Sequence, residues 1–148
     1  MPEKSFKYTN RKARNYIFAK RIEVGIVLTG AEVKSVKTRG ISLDQSNVQV
    51  FNNEAYLVNA HISGYQFSTD RPYDPRASRK LLVKKKELEM LIEAKQQKLA
   101  IVPINCYNTR GWIKLLIGVG RHKQIKEKKS EAITRSLKKR LKQQPENM

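Results

Sequence analysis

One cysteine, Cys106, and two histidines, His61 and His122, make up nearly all the soft-ligand chemistry in 148 residues. A lone cysteine excludes an internal disulfide and any cysteine-based metal site. His61 lies in a strand-like run, where it reads as a packing or edge residue, and His122 lies among lysines and arginines; neither has metal spacing or a triad partner. Gly118-Val119-Gly120 lacks the following glycine and Lys-Ser/Thr of a phosphate loop, and reads as a strand end that frees the backbone. No catalytic residue, no metal and no cofactor is therefore expected. Long apolar runs are missing too, and the opening MPEKSFKYTN has no apolar signal region. The expectation is a cytoplasmic monomer with no membrane segment.

Acid is also scarce. Thirteen Asp and Glu face 31 Lys and Arg, for a formal net charge of +18 and a pI near 10.2, far beyond what solubility needs, and such an excess points to a polyanionic partner. An anionic membrane surface would not explain a basic face on the folded body itself. The charge is unevenly spread: residues 40–70 contain no Lys or Arg at all. Basic residues gather in stretches 4–21 and 76–86, which are expected to meet on one side of the fold. The length suits one domain with a modest core.

The order of elements follows from pattern. Residues 16–28 are β-prone, and Gly25 inside the run suggests a bulge or bend. Thr29 can cap a short helix over 31–38 that ends at Gly40, with Val33 and Val36 inward and Glu32 and Lys37 outward. Segments 46–51 and 55–62 alternate as a hairpin around Asn52-Asn53. The loop over 63–75 holds Tyr65, Phe67 and Tyr73, which either plug a barrel end or stack on bases, the plug being favoured. Residues 85–97 form the clearest helix, through Leu88, Leu91 and Ile92. Its start is odd, because Lys84 occupies the cap position opposite Glu87 and cannot accept a hydrogen bond. A second hairpin joins 98–106 to 112–120 around a loop over 107–111, with Ile113, Leu115, Ile117 and Val119 on one face and Trp112, Lys114 and Leu116 on the other; Pro103 belongs at an edge or bulge. Five or six strands with two to three helices predict a mainly β fold, a small antiparallel OB-type β-barrel over residues 1–120.

Residues 121–148 form a basic tail. Residues 121–142 carry ten Lys or Arg against Glu127 and Glu131, with too few apolar groups to repay the entropy of ordering alone. The tail is expected to be disordered when free and helical when bound. A basic body and a separate basic tail suit two anionic surfaces, and RNA fits both. Glu23, an acid in an apolar strand, is either paired with a basic neighbour or placed to accept from a nucleobase amino group.

Asn10-Arg11-Lys12-Ala13-Arg14 before an aromatic strand, Gly30-Ala31-Glu32-Val33-Lys34-Ser35, Ala60-His61-Ile62, Asp74-Pro75-Arg76, Arg79-Lys80-Leu81-Leu82 with Glu87-Leu88, and residues 114–119 follow in an order that resembles the SsrA-binding (small protein B) family over about residues 10–131. The resemblance implies an OB-type barrel without enzymatic activity that binds the tRNA-like domain of tmRNA in trans-translation. It implies that the body stands in for a missing anticodon arm. It also implies that the tail enters the empty mRNA channel of a stalled ribosome, near the decoding centre and small-subunit rRNA, with elongation factor Tu as a further partner. By motif, Glu23 and the segment Leu82 to Lys84 face tmRNA, with Arg11, Lys12, Arg14, Lys34, Arg76, Arg79 and Lys80 adding basic contacts. The ribosome-binding tail residues are Arg121, His122, Lys123, Lys126, Glu127, Lys128, Lys129, Arg135, Lys138, Lys139 and Arg140. Lys84 replaces the family's Asn or His, and Lys126 replaces a ring before the acid, so phosphate contact is expected at both. The alternative reading is a constitutive rRNA-binding ribosomal or assembly protein.

Overall fold

Branched residues in the 16–28 run do form a long strand, and the rest of the sheet is laid against it. The computed structural model describes residues 5–64 and 72–124; the expectations for Tyr65, Phe67 and the tail beyond Gln124 lie outside the described residues. In chain order the elements are β1 (Lys7–Thr9), a 3-10 turn (Arg11–Asn15), β2 (Tyr16–Ile26), α1 (Gly30–Arg39), β3 (Asn47–Phe51), β4 (Glu54–Val58), β5 (Arg79–Leu82), α2 (Lys85–Gln96), β6 (Ala100–Thr109) and β7 (Trp112–His122). All seven strands pair antiparallel in the order β1-β6-β7-β2-β5-β4-β3. The sheet curls until β3, at its far edge, lies against β6. This is the antiparallel, barrel-like architecture expected, with seven strands against the five or six expected: β1 and β5, which the pattern did not resolve, are only three and four residues long.

Alternation fills the core. Val24, Ile26, Leu57, Leu81, Leu115 and Ile117 point inward and are buried, and Val36 of α1 and Leu91 of α2 close over them. The turn chemistry is as expected at both hairpins. Asn52 and Asn53 adopt φ of 49° and 60°, and Arg110 and Gly111 adopt 49° and 82°, the left-handed pair that a two-residue hairpin turn requires. The second hairpin is longer than predicted, because Tyr107, Asn108 and Thr109 continue β6 rather than forming a loop. His61 makes a single antiparallel bridge with Ser42, an edge position.

Three expectations are corrected. Gly25 does not bulge: it stays in register, opposite Leu82 and Lys114, and the irregularity in β2 falls between Phe18 and Lys20. A Cβ at 25 would press on the Leu82 side chain at 3.3 Å, so glycine lets the two strands approach there without displacing it. Glu32 is not outward; it is buried, as the functional site makes plain below. Finally, β7 runs to His122, so the first two residues assigned to the tail are paired with Ile17 and Tyr16.

Candidate nucleic-acid interface

Opposed residues in an antiparallel ladder share a face, so the registers draw the outer surface of the sheet. One row reads Leu82, Gly25, Lys114, Tyr107, Lys7 across β5, β2, β7, β6 and β1. On one side of it stand Glu23 and Leu116. On the other, Trp112 follows Lys114 on the same face of β7, and the Val27 amide donates to the Lys80 carbonyl (2.9 Å). Apolar groups would ordinarily turn away from this surface, yet Trp112 is 71%, Leu82 58% and Val27 46% exposed. Three exposed apolar side chains among Lys80, Lys114 and Lys7 make a platform for stacking and phosphate contact together.

Glu23 is exposed on this face, and no ion pair to it is found among the described residues. The Tyr107 hydroxyl donates a hydrogen bond to Glu23 Oε2. Burial first, and the neighbouring Glu23 second, push the Tyr107 phenol up to about 12. Neither sequence alternative for Glu23 anticipated a phenol.

Beside Leu82 runs an open groove of about 300 Å³ lined by Asn53, Glu54, Lys80, Leu82, Val83 and Leu88. Lys80 Nζ lies 3.1 Å from Glu54 Oε1, and Tyr56 donates to Glu54 Oε2 (2.5 Å). The Tyr56 bond and then Lys80 hold the Glu54 carboxyl below its usual range. At the groove's end α2 begins with three exposed lysines, Lys84, Lys85 and Lys86. Glu87 supplies its half of a capping box, accepting from the Lys84 amide at 2.9 Å, while the Lys84 side chain, which has no acceptor atom, makes no cap bond.

Other basic residues gather toward the opposite end of β2, around the 3-10 turn that precedes it. Arg11, Lys12 and Arg14 are exposed on the 3-10 turn, which Asn10 caps by accepting from the Lys12 amide (3.0 Å). Tyr16 stacks on Phe18 (5.9 Å) and packs against the His122 ring (4.2 Å), and Arg21 lies over Phe18 at 5.7 Å. Gly118 makes this possible, since a Cβ there would meet the Phe18 ring at 2.5 Å. The Lys123 amide donates to the Asn15 carbonyl (2.8 Å), so the end of the described body lies beside the 3-10 turn that carries Arg11, Lys12 and Arg14. Of the first basic stretch, Lys7 thus joins the row of Leu82, while Arg11, Lys12 and Arg14 lie at the other end of β2.

Arg79 corrects the predicted site. Its side chain is inside the fold, the residue only 4% exposed: Nε lies 2.7 Å from Glu32 Oε2, one terminal nitrogen donates to the Ala60 carbonyl and the other to the Pro75 carbonyl and the Tyr73 hydroxyl. All three of its nitrogens are engaged inside the fold, which turns the guanidinium away from the outer face. Tyr73 also donates to the Ile62 carbonyl (2.8 Å), so its hydroxyl is held within the fold. Arg76 is exposed but donates to the Asn59 carbonyl (3.0 Å), and Lys34 is exposed on α1, outside the sheet rows. Trp112, Val27, Lys114 and Tyr107 were missed as site residues. The alternation of β7 did put Trp112 and Lys114 on the face opposite the core, which was the available signal.

Burial pushes the Cys106 thiol up to about 12, which leaves it protonated and unreactive at neutral pH. Among the described residues no cluster of His, Cys, Asp and Glu is arranged to hold a metal ion, and no helix is long and apolar enough to cross a membrane.

Comparison with known proteins gives one answer. The family model described as SmpB protein matches residues 7–147. An SsrA-binding protein of Lactobacillus helveticus is 41% identical over 134 residues, 89% of this chain and 88% of that protein; one from Microcystis aeruginosa is 42% identical over 125 residues, 82% and 81% of the two chains. A chain of the solved structure described as "tmRNA-SmpB: a journey to the center of the bacterial ribosome" superposes with a TM-score of 0.65 at 37% identity, covering 80% of this chain and 85% of its own. On sequence, extent and fold together, the chain belongs to the SmpB protein family.

Proposed function

We propose that this protein binds tmRNA, the SsrA RNA, and acts in trans-translation: its outer sheet face takes the tRNA-like domain, and its basic tail enters the vacant mRNA channel of a stalled ribosome. The observation that carries the reading is the outer face itself, where exposed Leu82, Val27 and Trp112 stand among lysines beside Glu23, a carboxylate with no ion pair among the described residues. Its relatives being SsrA-binding proteins supports the choice of RNA. The division of labour follows the two basic regions. Glu23, Lys80, Leu82 and Lys84 address tmRNA, while Arg11, Lys12 and Arg14, beside the tail's exit, serve the ribosome contact or its junction with tmRNA. Arg79 supports the site from within. The protein works as a cytoplasmic monomer, without catalysis of its own, and elongation factor Tu joins through the aminoacylated tmRNA.

The test is a truncation after Gln124. Affinity for a transcript of the tRNA-like domain should stay nearly unchanged, while tagging of peptides on stalled ribosomes should be lost. RNA co-purifying with the full chain should be a single tmRNA-sized species; rRNA without tmRNA would overturn the reading in favour of a constitutive rRNA binder.

A further inference from the structure

A carboxylate on a phosphate-binding face repels the ligand's backbone, so Glu23 needs a reason to be there. Two irregularities in the sheet supply its placement. β2 slips by one residue against β7 between Phe18 and Lys20, and β6 slips by one between Pro103 and Asn105. A one-residue slip exchanges the faces of everything that follows. Without the first, Glu23 would oppose Leu115, and without the second, Tyr107 would oppose Ile113, a partly buried residue packed against the core. With both, Glu23 opposes Leu116 and Tyr107 opposes Lys114, and the two side chains meet across β7 on the open face. Pro103, which has no amide to donate, sits where the second slip begins.

We propose that Tyr107 is a positioning residue for RNA recognition: by donating its hydroxyl to Glu23 Oε2 it fixes the carboxylate and leaves Oε1 to accept from the amino group of an unpaired base. An ionised carboxyl only accepts hydrogen bonds, so it selects amino-bearing edges. A lysine partner would neutralise the charge that makes the acceptor strong, whereas a phenol orients it and leaves the charge in place. A phenol is protonated, and therefore a donor, through the neutral range, and the upward shift extends that range into alkali. This inference rests on the reading of the outer face as the tmRNA site.

The experiment is a double-mutant cycle on the full chain with Tyr107→Phe and Glu23→Gln. Binding to a tRNA-like-domain transcript is followed over a salt series, with urea denaturation of each variant. Each single change should weaken binding about tenfold, the size of one hydrogen bond to a charged group. The double variant should bind no worse than Glu23→Gln alone. The salt slope should not move in any of them, since no phosphate contact is lost. Losses that multiply, or Tyr107→Phe binding like the native chain while Glu23→Gln is weak, would overturn the positioning role and leave the tmRNA reading standing. Native binding by Glu23→Gln would remove Glu23 from the site and the inference with it. A fall in stability for Tyr107→Phe matching its loss of affinity, with an altered salt slope, would mark the contact as a sheet clamp and also overturn the proposal.

Discussion

Arg79 Nε and Glu32 Oε2, 47 residues apart in sequence, lie 2.7 Å apart with both side chains nearly buried. Glu32 also spends Oε1 on the α1 capping box, accepting from the Thr29 amide (3.0 Å) while the Thr29 hydroxyl accepts from the Glu32 amide (3.1 Å). One carboxylate therefore ties the start of α1 to β5, and β5 is the strand that presents Lys80 and Leu82 outward. The ion pair is scaffolding for the outer sheet face, not part of its surface.

Breaking the pair from one side strands a buried charge. Arg79→Met should lower the unfolding free energy by about 3–5 kcal/mol, read as a shift of the urea midpoint. Arg79→Met combined with Glu32→Leu should recover much of that loss, short of about 1 kcal/mol for the lost cap. RNA affinity measured on folded protein should change little in the double variant; a large loss would place Arg79 in the interface after all.

The pair also shows where sequence reasoning stopped. The helix of Val33 and Val36, its Thr29 cap and its Gly40 end were legible because each is a local pattern. Glu32 was placed outward by the same wheel, since nothing local reveals a partner 47 residues on. Arg79 looked like a phosphate ligand because charge does not announce its face. Arg79-Lys80-Leu81-Leu82 is a strand in which the arginine and Leu81 go in while Leu82 goes out, so hydropathy inverts at both ends. The slips that bring Glu23 and Tyr107 together leave no period of their own; only Pro103 hinted at one.

Trp112 is the sole tryptophan and protrudes from the tip of a two-strand hairpin. Its fluorescence should be quenched on adding the tRNA-like domain. Trp112→Ala should weaken binding by about 1–3 kcal/mol, the usual worth of one stacked base, yet shift stability by no more than about 0.5 kcal/mol, as an exposed residue should. Unchanged fluorescence at saturating RNA would take Trp112 out of the contact surface.

Alkali should destabilise the protein through the buried Cys106 thiol and the half-buried Tyr107 phenol. The Cys106 thiol and the Tyr107 phenol are both raised to about 12, from 9.0 and 10.0, chiefly by burial. For a group raised on folding, its contribution is complete below the unfolded value and is lost as pH climbs through the folded one. Urea midpoints should therefore hold to about pH 9 and fall between 9 and 12. Cys106 should resist iodoacetamide at pH 8 until urea unfolds the chain. Tyr107→Phe should flatten the part of the fall above pH 10 and leave the thiol's part intact.

Lys84 sets stability against binding. As the cap residue of α2 it makes no side-chain cap bond and, with Lys85 and Lys86, crowds positive charge onto the positive end of the helix dipole. Selection for folding alone would favour Asp, which accepts from the exposed helix amides and suits the dipole. Lys84→Asp should stabilise the protein by about 1 kcal/mol, and the same substitution should weaken tmRNA binding and lower its salt slope by about one, the signature of a lost phosphate contact. Opposite signs in the two measurements follow only if the lysine is retained for the ligand. A variant both more stable and equally tight would show that Lys84 faces solvent in the complex and that the uncapped helix start has no part in binding.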